Sequence, residues 1–249
     1  MLQVLEHDAI RELRLARPPV NAFDPALLAS LAQQLTRATA DDVDAVILSG
    51  QPGVFSAGLD VRALAQLDAT ALRGFVNAFF DLQQQLASAP MPVLCSITGH
   101  CPAGGTVLAL YCDRRFMARG VYTIGLNEVQ IGLYPGQIIY RAFERLVGSR
   151  QAADLLPRGT LLDPEAAHRV GLVDELTDEG HTTSRALEYG RELLALPRAA
   201  YLRTRALVRG DLVQSFETPR DAFIDVFAEH WFSAETRARL AHLLRSQGA

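Results

Sequence analysis

Apolar and polar positions alternate loosely from Leu2 to Leu15, with His7 and Asp8 between the halves, which predicts two short strands around a turn. The period then changes. In "NAFDPALLASLAQQLTRAT", Leu27, Leu28, Leu31 and Leu35 share one helical face, Asp24 stands at the N-cap and Pro25 in the first turn. "VDAVILSG" is a short unbroken apolar run bounded by acids and Gly50, as expected of a strand buried on both faces. A helical stretch over 70–88 follows, closed by "APMP", and then a second buried run, "VLCSITG". "TVLALYC" predicts a short apolar helix and "RRFMARGVYTIG" pieces of strand.

Twice, therefore, a buried strand leads through a glycine-bearing loop into a helix. That argues for an α/β fold of stacked strand–helix turns rather than an antiparallel sandwich. "GQIIYRAFERLVGS" and "SRQAADLLPRG" read as helices, and "DPEAAHRVG" as a third, with Asp163 as cap, Pro164 at the first turn and Gly171 past the end. "LVDEL" is a last short strand. From about residue 180 the pattern is helical, broken at Pro197, near Gly210 and at Pro219. Trp231 falls on an amphipathic C-terminal helix with Phe223, Phe227 and Phe232. The expected division is a core over 1–195 and a helical region over 196–249.

Composition narrows the class. With 249 residues, 49% hydrophobic and 21% charged, the chain suits one large globular domain or a domain with a short appendage. No apolar run approaches the ~20 residues a membrane span needs, and the start has no leader-like apolar core, so a cytoplasmic protein is expected. A formal charge of −4 argues against a nucleic-acid partner. All 24 basic residues are arginine, so any phosphate held by side-chain charge is held by arginine. Cys95, Cys101 and Cys112 have neither metal-ligand nor disulfide spacing and read as small apolar fillers; the histidines are scattered, so no metal site is expected.

The candidate chemistry lies in two glycine loops. "SGQPGVFSAGLDVRAL" passes from strand through Ser56-Ala57-Gly58-Leu59-Asp60 to helix, and "GHCPAGGTVLAL" does the same through Gly104 and Gly105. Small residues allow close backbone approach, and a helix start offers unpaired N–H groups. Two such loops face to face could hold an oxygen that turns negative during reaction, where one donor is worth ~3 kcal/mol. Neither loop is a P-loop or a dinucleotide fingerprint.

Taken together, "PGVFSAGLDV", "GHCPAGGTVLALYCDRRF" and "YTIGLNEVQIGLYPG" resemble the crotonase, or enoyl-CoA hydratase/isomerase, superfamily, from about "PPVNAF" to "HRVGLVDEL". The wording is nearer its mitochondrial-type 3,2-enoyl-CoA isomerases than its hydratases. The resemblance implies a spiral of stacked strand–strand–helix turns with a helical C-terminal region that covers the acyl pocket or joins subunits. It implies a homotrimer or dimer of trimers, and an acyl-CoA thioester as substrate, with coenzyme A the only cofactor-like group. By motif position the oxyanion donors fall on the backbones of Leu59 and Gly104, with Ala57 and Gly58 beside the substrate. Similar hydratases carry two glutamates. The first position is Val107 here, and the second is Glu128 in "GLNEVQIG".

One carboxylate suffices to move a double bond between C3 and C2 of an enoyl thioester, as oxidation of unsaturated fatty acids requires, so Glu128 is the expected proton shuttle, its pKa raised by apolar surroundings. The alternatives are hydration or other enolate chemistry, and a non-catalytic acyl-CoA binder. The acid of dienoyl-CoA isomerases has no counterpart in "IGLYPGQ". Asn127 either orients the carboxylate, touches substrate or forms a turn. Arg17 and Arg205 match basic positions of the family and are the expected phosphate contacts, against the alternative of solvated surface. Asp60 reads as an N-cap or ion-pair residue, and His100 as packed or solvent-facing.

Overall fold

The alternating start forms a hairpin of β1 (Leu2–His7) and β2 (Ile10–Leu15), with Leu2 opposite Leu15. The computed structural model describes residues 1–246. After α1 (Pro25–Ala40), the chain returns in β3 (Ala45–Ser49), parallel to β2. Asp24 accepts the Leu27 N–H at 2.7 Å, and Leu27, Leu28, Leu31 and Leu35 are buried, as their spacing predicts.

From β3 onward the chain repeats one unit three times: a long strand, a very short strand, then a helical segment. The first unit is β3, β4 (Gly53–Val54), α2 (Val61–Leu64) and α3 (Ala69–Ser88). The second is β5 (Val93–Ile97), β6 (Gly99–Pro102) and α4 (Gly104–Leu110). The third is β7 (Arg114–Ala118), β8 (Ile124–Gly125), a 3₁₀ turn over Glu128–Ile131 and α5 (Gly136–Leu155). α6 (Pro164–Arg169), capped by Asp163 at 2.7 Å, leads to β9 (Glu175–Thr177). The long strands form one sheet in the order β1-β2-β3-β5-β7-β9, and the short ones a second, parallel sheet in the order β4-β6-β8. Each turn of the spiral thus adds one strand to each sheet. The pattern showed two cycles; the third, and all three short strands, carry no periodicity long enough to read.

Every residue of β3 and β5 is buried, because both faces of the large sheet are covered. One face meets the main core. The other takes α7 (Thr182–Leu194), with Ile10, Ile47, Leu94 and Phe116 packed around Ala186. The chain then runs through α8 (Arg198–Val208), α9 (Gly210–Gln214), α10 (Asp221–Phe232) and α11 (Ala234–Ser246). Breaks fall at Pro197, Gly210 and Pro219 as expected. One more falls at Ser233, so the tryptophan-bearing segment is two helices rather than one. Ser233 is extended, at φ −63° and ψ 152°, and its hydroxyl accepts the Thr236 N–H at 3.2 Å, an N-cap. α5 is interrupted at Gly148, at φ 77° and ψ 159°, where the pattern had predicted two helices. Ile224, Phe227, Ala228 and Trp231 bury the inner face of α10 in the main core. Among the described residues, no helix is long and apolar enough to cross a membrane.

Candidate active site

β4, β6 and β8 are parallel and in register, Gly53 beside Gly99 and Pro102 beside Gly125. Their C-terminal ends therefore lie side by side, the place where open parallel sheets present loops to a ligand. The segments leaving those ends carry Leu59, Gly104 and Glu128 in turn. All three line one cavity of about 1150 Å³.

Two loop glycines are there for space. Gly58 has φ +90°, and a Cβ on it would stand 3.0 Å from the Gly104 nitrogen. A Cβ on Gly104 would stand 3.2 Å from the Gly58 Cα and 3.4 Å from the Leu59 nitrogen. The two loops touch through backbone. The Ser56 hydroxyl accepts the Gly58 N–H at 3.1 Å and donates to the Asn21 carbonyl at 2.8 Å, which sets the course of the first loop. Ala103 before α4 is held at φ +50°, an uncommon conformation for a residue with a side chain. Neither the Leu59 N–H nor the Gly104 N–H donates to any acceptor among the described residues. The cavity thus has two adjacent unpaired backbone donors, one of them at the start of α4.

Glu128 starts the 3₁₀ turn after β8. Its Oε2 is buried and has no hydrogen-bond partner among the described residues. Burial pushes its carboxyl up to about 7 from the usual 4.5, with its own backbone N–H pulling weakly the other way. Val107, 2% exposed, lines the same cavity one turn of α4 beyond Gly104, and supplies hydrocarbon where an acid would be needed for a second carboxylate. The wall beyond is aromatic: Phe75, Phe79 and Phe80 of α3 face Phe223, Phe227 and Trp231 of α10. Phe80 and Phe223 meet edge to face at 5.4 Å.

The remaining expected residues divide. Ala57 and Asn127 line the cavity, and Gly58 supports it from behind. Asn127 precedes the turn without capping it by side chain. Asp60 caps α2 through Ala63 at 2.9 Å and pairs with Arg17 at 2.7 Å. Arg17 also lines the cavity, but its guanidinium is already held by Asp60, by Asp24 at 3.0 Å and by the Ala22 carbonyl. Arg205 is not brought there. It grips Asp113 with two bonds of 2.7 and 2.8 Å and the Ala89 carbonyl at 2.7 Å, fastening α8 to the core. Its neighbour Arg209 donates to the carbonyls of Leu86, Ala87 and Tyr111 and so closes the C-terminal ends of α3 and α4. The cavity cations with charge to spare are others. Arg62 is exposed and makes no ion pair among the described residues, and Arg239 has one loose pair, to Glu235 at 3.7 Å. The sequence pattern held no sign that singled these two out. His100 is exposed and bonded to Thr123 at 3.2 Å, and the three cysteines are buried and free.

A cavity with paired unsatisfied N–H groups, one buried carboxyl and an aromatic wall defines a site for chemistry beside a carbonyl on an apolar chain. The profile of the enoyl-CoA hydratase/isomerase family matches residues 6–241, and the chain belongs to that family. It is 32% identical over 230 residues to human mitochondrial enoyl-CoA delta isomerase 1, covering 90% of this chain and 76% of that protein. A probable enoyl-CoA hydratase of Mycobacterium avium is 33% identical over 211 residues, covering 84% of this chain and 79% of that protein. The crystal structure of human mitochondrial delta3-delta2-enoyl-CoA isomerase superimposes with a TM-score of 0.92 at 31% identity, covering 99% of this chain and 98% of that one. The fold is thus the crotonase spiral.

Proposed function

We propose that this protein is a 3,2-enoyl-CoA isomerase that uses Glu128 as its only proton carrier. The observation that carries the reading is the carboxyl oxygen of Glu128, without a partner among the described residues, in one cavity with the N–H groups of Leu59 and Gly104, likewise unpaired among them. The thioester oxygen of a 3-enoyl-CoA sits between those two donors. Glu128 takes a proton from C2, and the electron pair moves into the thioester, giving a dienolate whose charge rests on the oxygen. The same carboxyl then returns the proton at C4, and the double bond is left between C2 and C3. A carboxyl near 7 suits both halves of the transfer at neutral pH. Val107 offers no carboxylate to activate water, and Asp60, which also lines the cavity, is held by Arg17 and the Ala63 N–H, so hydration does not compete.

Arg62 and Arg239 take the anionic nucleotide end, in place of Arg17 and Arg205, and the aromatic faces of α3 and α10 take the acyl chain. Ala57, Gly58 and Asn127 line or support the thioester position. Coenzyme A arrives as part of the substrate, and the chemistry calls for no further cofactor or metal. The reading includes a homotrimer or dimer of trimers. In its favour, α8 buries no residue, and Leu207 and Val208 stand 83% and 61% exposed on it. It also includes work in the cytoplasm, in keeping with three unpaired cysteines.

The test follows the conjugated enoyl thioester by ultraviolet absorbance. The protein is expected to convert 3-hexenoyl-CoA and to leave 2-hexenoyl-CoA unhydrated. Hydration of 2-hexenoyl-CoA would replace the reading with a hydratase, and inertness toward both with an acyl-CoA binder.

A further inference from the structure

The oxyanion donor and the proton carrier lie on different turns of the spiral, and a buried hydroxyl on the first helps to tie it to the second. Thr106 is the third residue of α4, two after Gly104, and is fully buried. Its Oγ1 accepts the Gly125 N–H at 2.9 Å and donates to the Cys101 carbonyl, with the Gly125 carbonyl at 3.1 Å as a second acceptor. Gly125 is the last residue of β8, three before Glu128. Cys101 pairs with Ile124, so a parallel ladder would send the Gly125 N–H straight to the Cys101 carbonyl. The Thr106 hydroxyl bonds both of these groups and so ties that rung to α4. Gly125 cannot move away from this rung easily. It has φ +143°, its carbonyl also accepts the Ala103 N–H at 2.8 Å, and the Thr160 carbonyl lies 2.7 Å from where a Cβ would be.

We propose that Thr106 is a positioning residue for the isomerisation. Its hydroxyl fixes the start of α4, and with it the Gly104 N–H, against the segment that carries Glu128. The inference rests on the isomerase reading. It explains why the one polar side chain of α4 stands directly before the apolar run "VLAL". Transfer between C2 and C4 needs the carboxyl at a set height above the enolate plane, and misplacement by an ångström costs roughly 100-fold.

The experiment compares Thr106→Val, which keeps the shape and removes the hydroxyl, with Thr106→Ser, which keeps the hydroxyl. Rates with 3-hexenoyl-CoA are referred to the folded fraction, and the Kd for saturated hexanoyl-CoA is measured alongside. The expected result for valine is a kcat lower by roughly 10–100-fold with KM and Kd within about twofold. Serine is expected to hold kcat within about threefold. If the valine variant does not fold, Thr106→Ala removes the same oxygen with less bulk and carries the same expectation. Full kcat in the valine or alanine variant would overturn the inference. So would a serine variant as slow as valine, which would make the methyl group responsible, or a loss confined to KM. A wild-type protein inert toward 3-hexenoyl-CoA would take down the isomerase reading and this inference with it, an outcome visible before any variant is made.

Discussion

Replacing Glu128 by glutamine is expected to abolish isomerisation and, at pH 8, to stabilise the fold. The second effect follows from the burial of the carboxyl. Its folded-state value is about 7, against 4.5 for the ordinary group. Between those limits the native protein binds the proton and the unfolded chain does not. Stability from this group is therefore fully present below pH 4.5 and is lost as pH rises through 7. At about 1.36 kcal/mol per pH unit, the gap is worth about 3 kcal/mol in full and about 2.5 kcal/mol between pH 5 and pH 8. Glutamine has no proton to lose. Its own cost of burial is the same at both pH values, so it cancels when wild type and variant are compared across pH.

The assay is urea unfolding at pH 5 and pH 8, at one fixed protein concentration, read by the fluorescence of the single tryptophan. Trp231 is 2% exposed and reports unfolding of the main core. Wild type is expected to lose about 2.5 kcal/mol more than Glu128→Gln over that interval, or roughly 5–10 °C in Tm for a chain of this size. All other titrating groups, the paired Glu12 among them, contribute equally to both proteins. Parallel stability curves would refute the reasoning, since they would mean a carboxyl that is solvated or paired.

Three further outcomes follow from the same geometry. The kcat/KM for 3-hexenoyl-CoA should fall about tenfold per pH unit below about 7 and reach a plateau above it, because the free enzyme must start with Glu128 as carboxylate; a limb near 4.5 would show an ordinary carboxyl. Val107→Glu should bring measurable hydration of 2-hexenoyl-CoA, at the expense of isomerisation and of about 1–3 kcal/mol in stability from crowding a side chain that is 2% exposed. Arg62→Gln and Arg239→Gln should each raise KM for the CoA thioester roughly tenfold at low salt, while leaving the phosphate-free N-acetylcysteamine thioester unchanged; equal effects on both substrates would remove these arginines from nucleotide binding.

How far the site could be read from the chain depended on how far apart its interacting residues lie in sequence. Asp60 was legible as a cap because its partner, Ala63, is three residues on, and the Leu27–Leu35 stripe because a helix repeats locally. The short strands β4 and β8 have two residues each, with no period to detect, and form only because neighbouring turns of the spiral pair them. Yet their ends aim Leu59 and Glu128. The arginines show the same limit from the other side. Arg17 pairs with Asp60 at a separation of 43 residues and Arg205 with Asp113 at 92, so their charge is consumed by partners the local sequence does not announce. Ser233 is different: "SAET" is a readable cap, but the amphipathic pattern running through it favoured one long helix. Thr106 makes the point sharpest. In "GGTVLAL" it looks like a tolerated polar residue at a helix start, and only the return of the chain 19 residues later brings Gly125 to its hydroxyl. A residue that couples two distant segments has, by that fact, little local signature, and the groups that align the two halves of a site are for that reason the ones a single sequence conceals best.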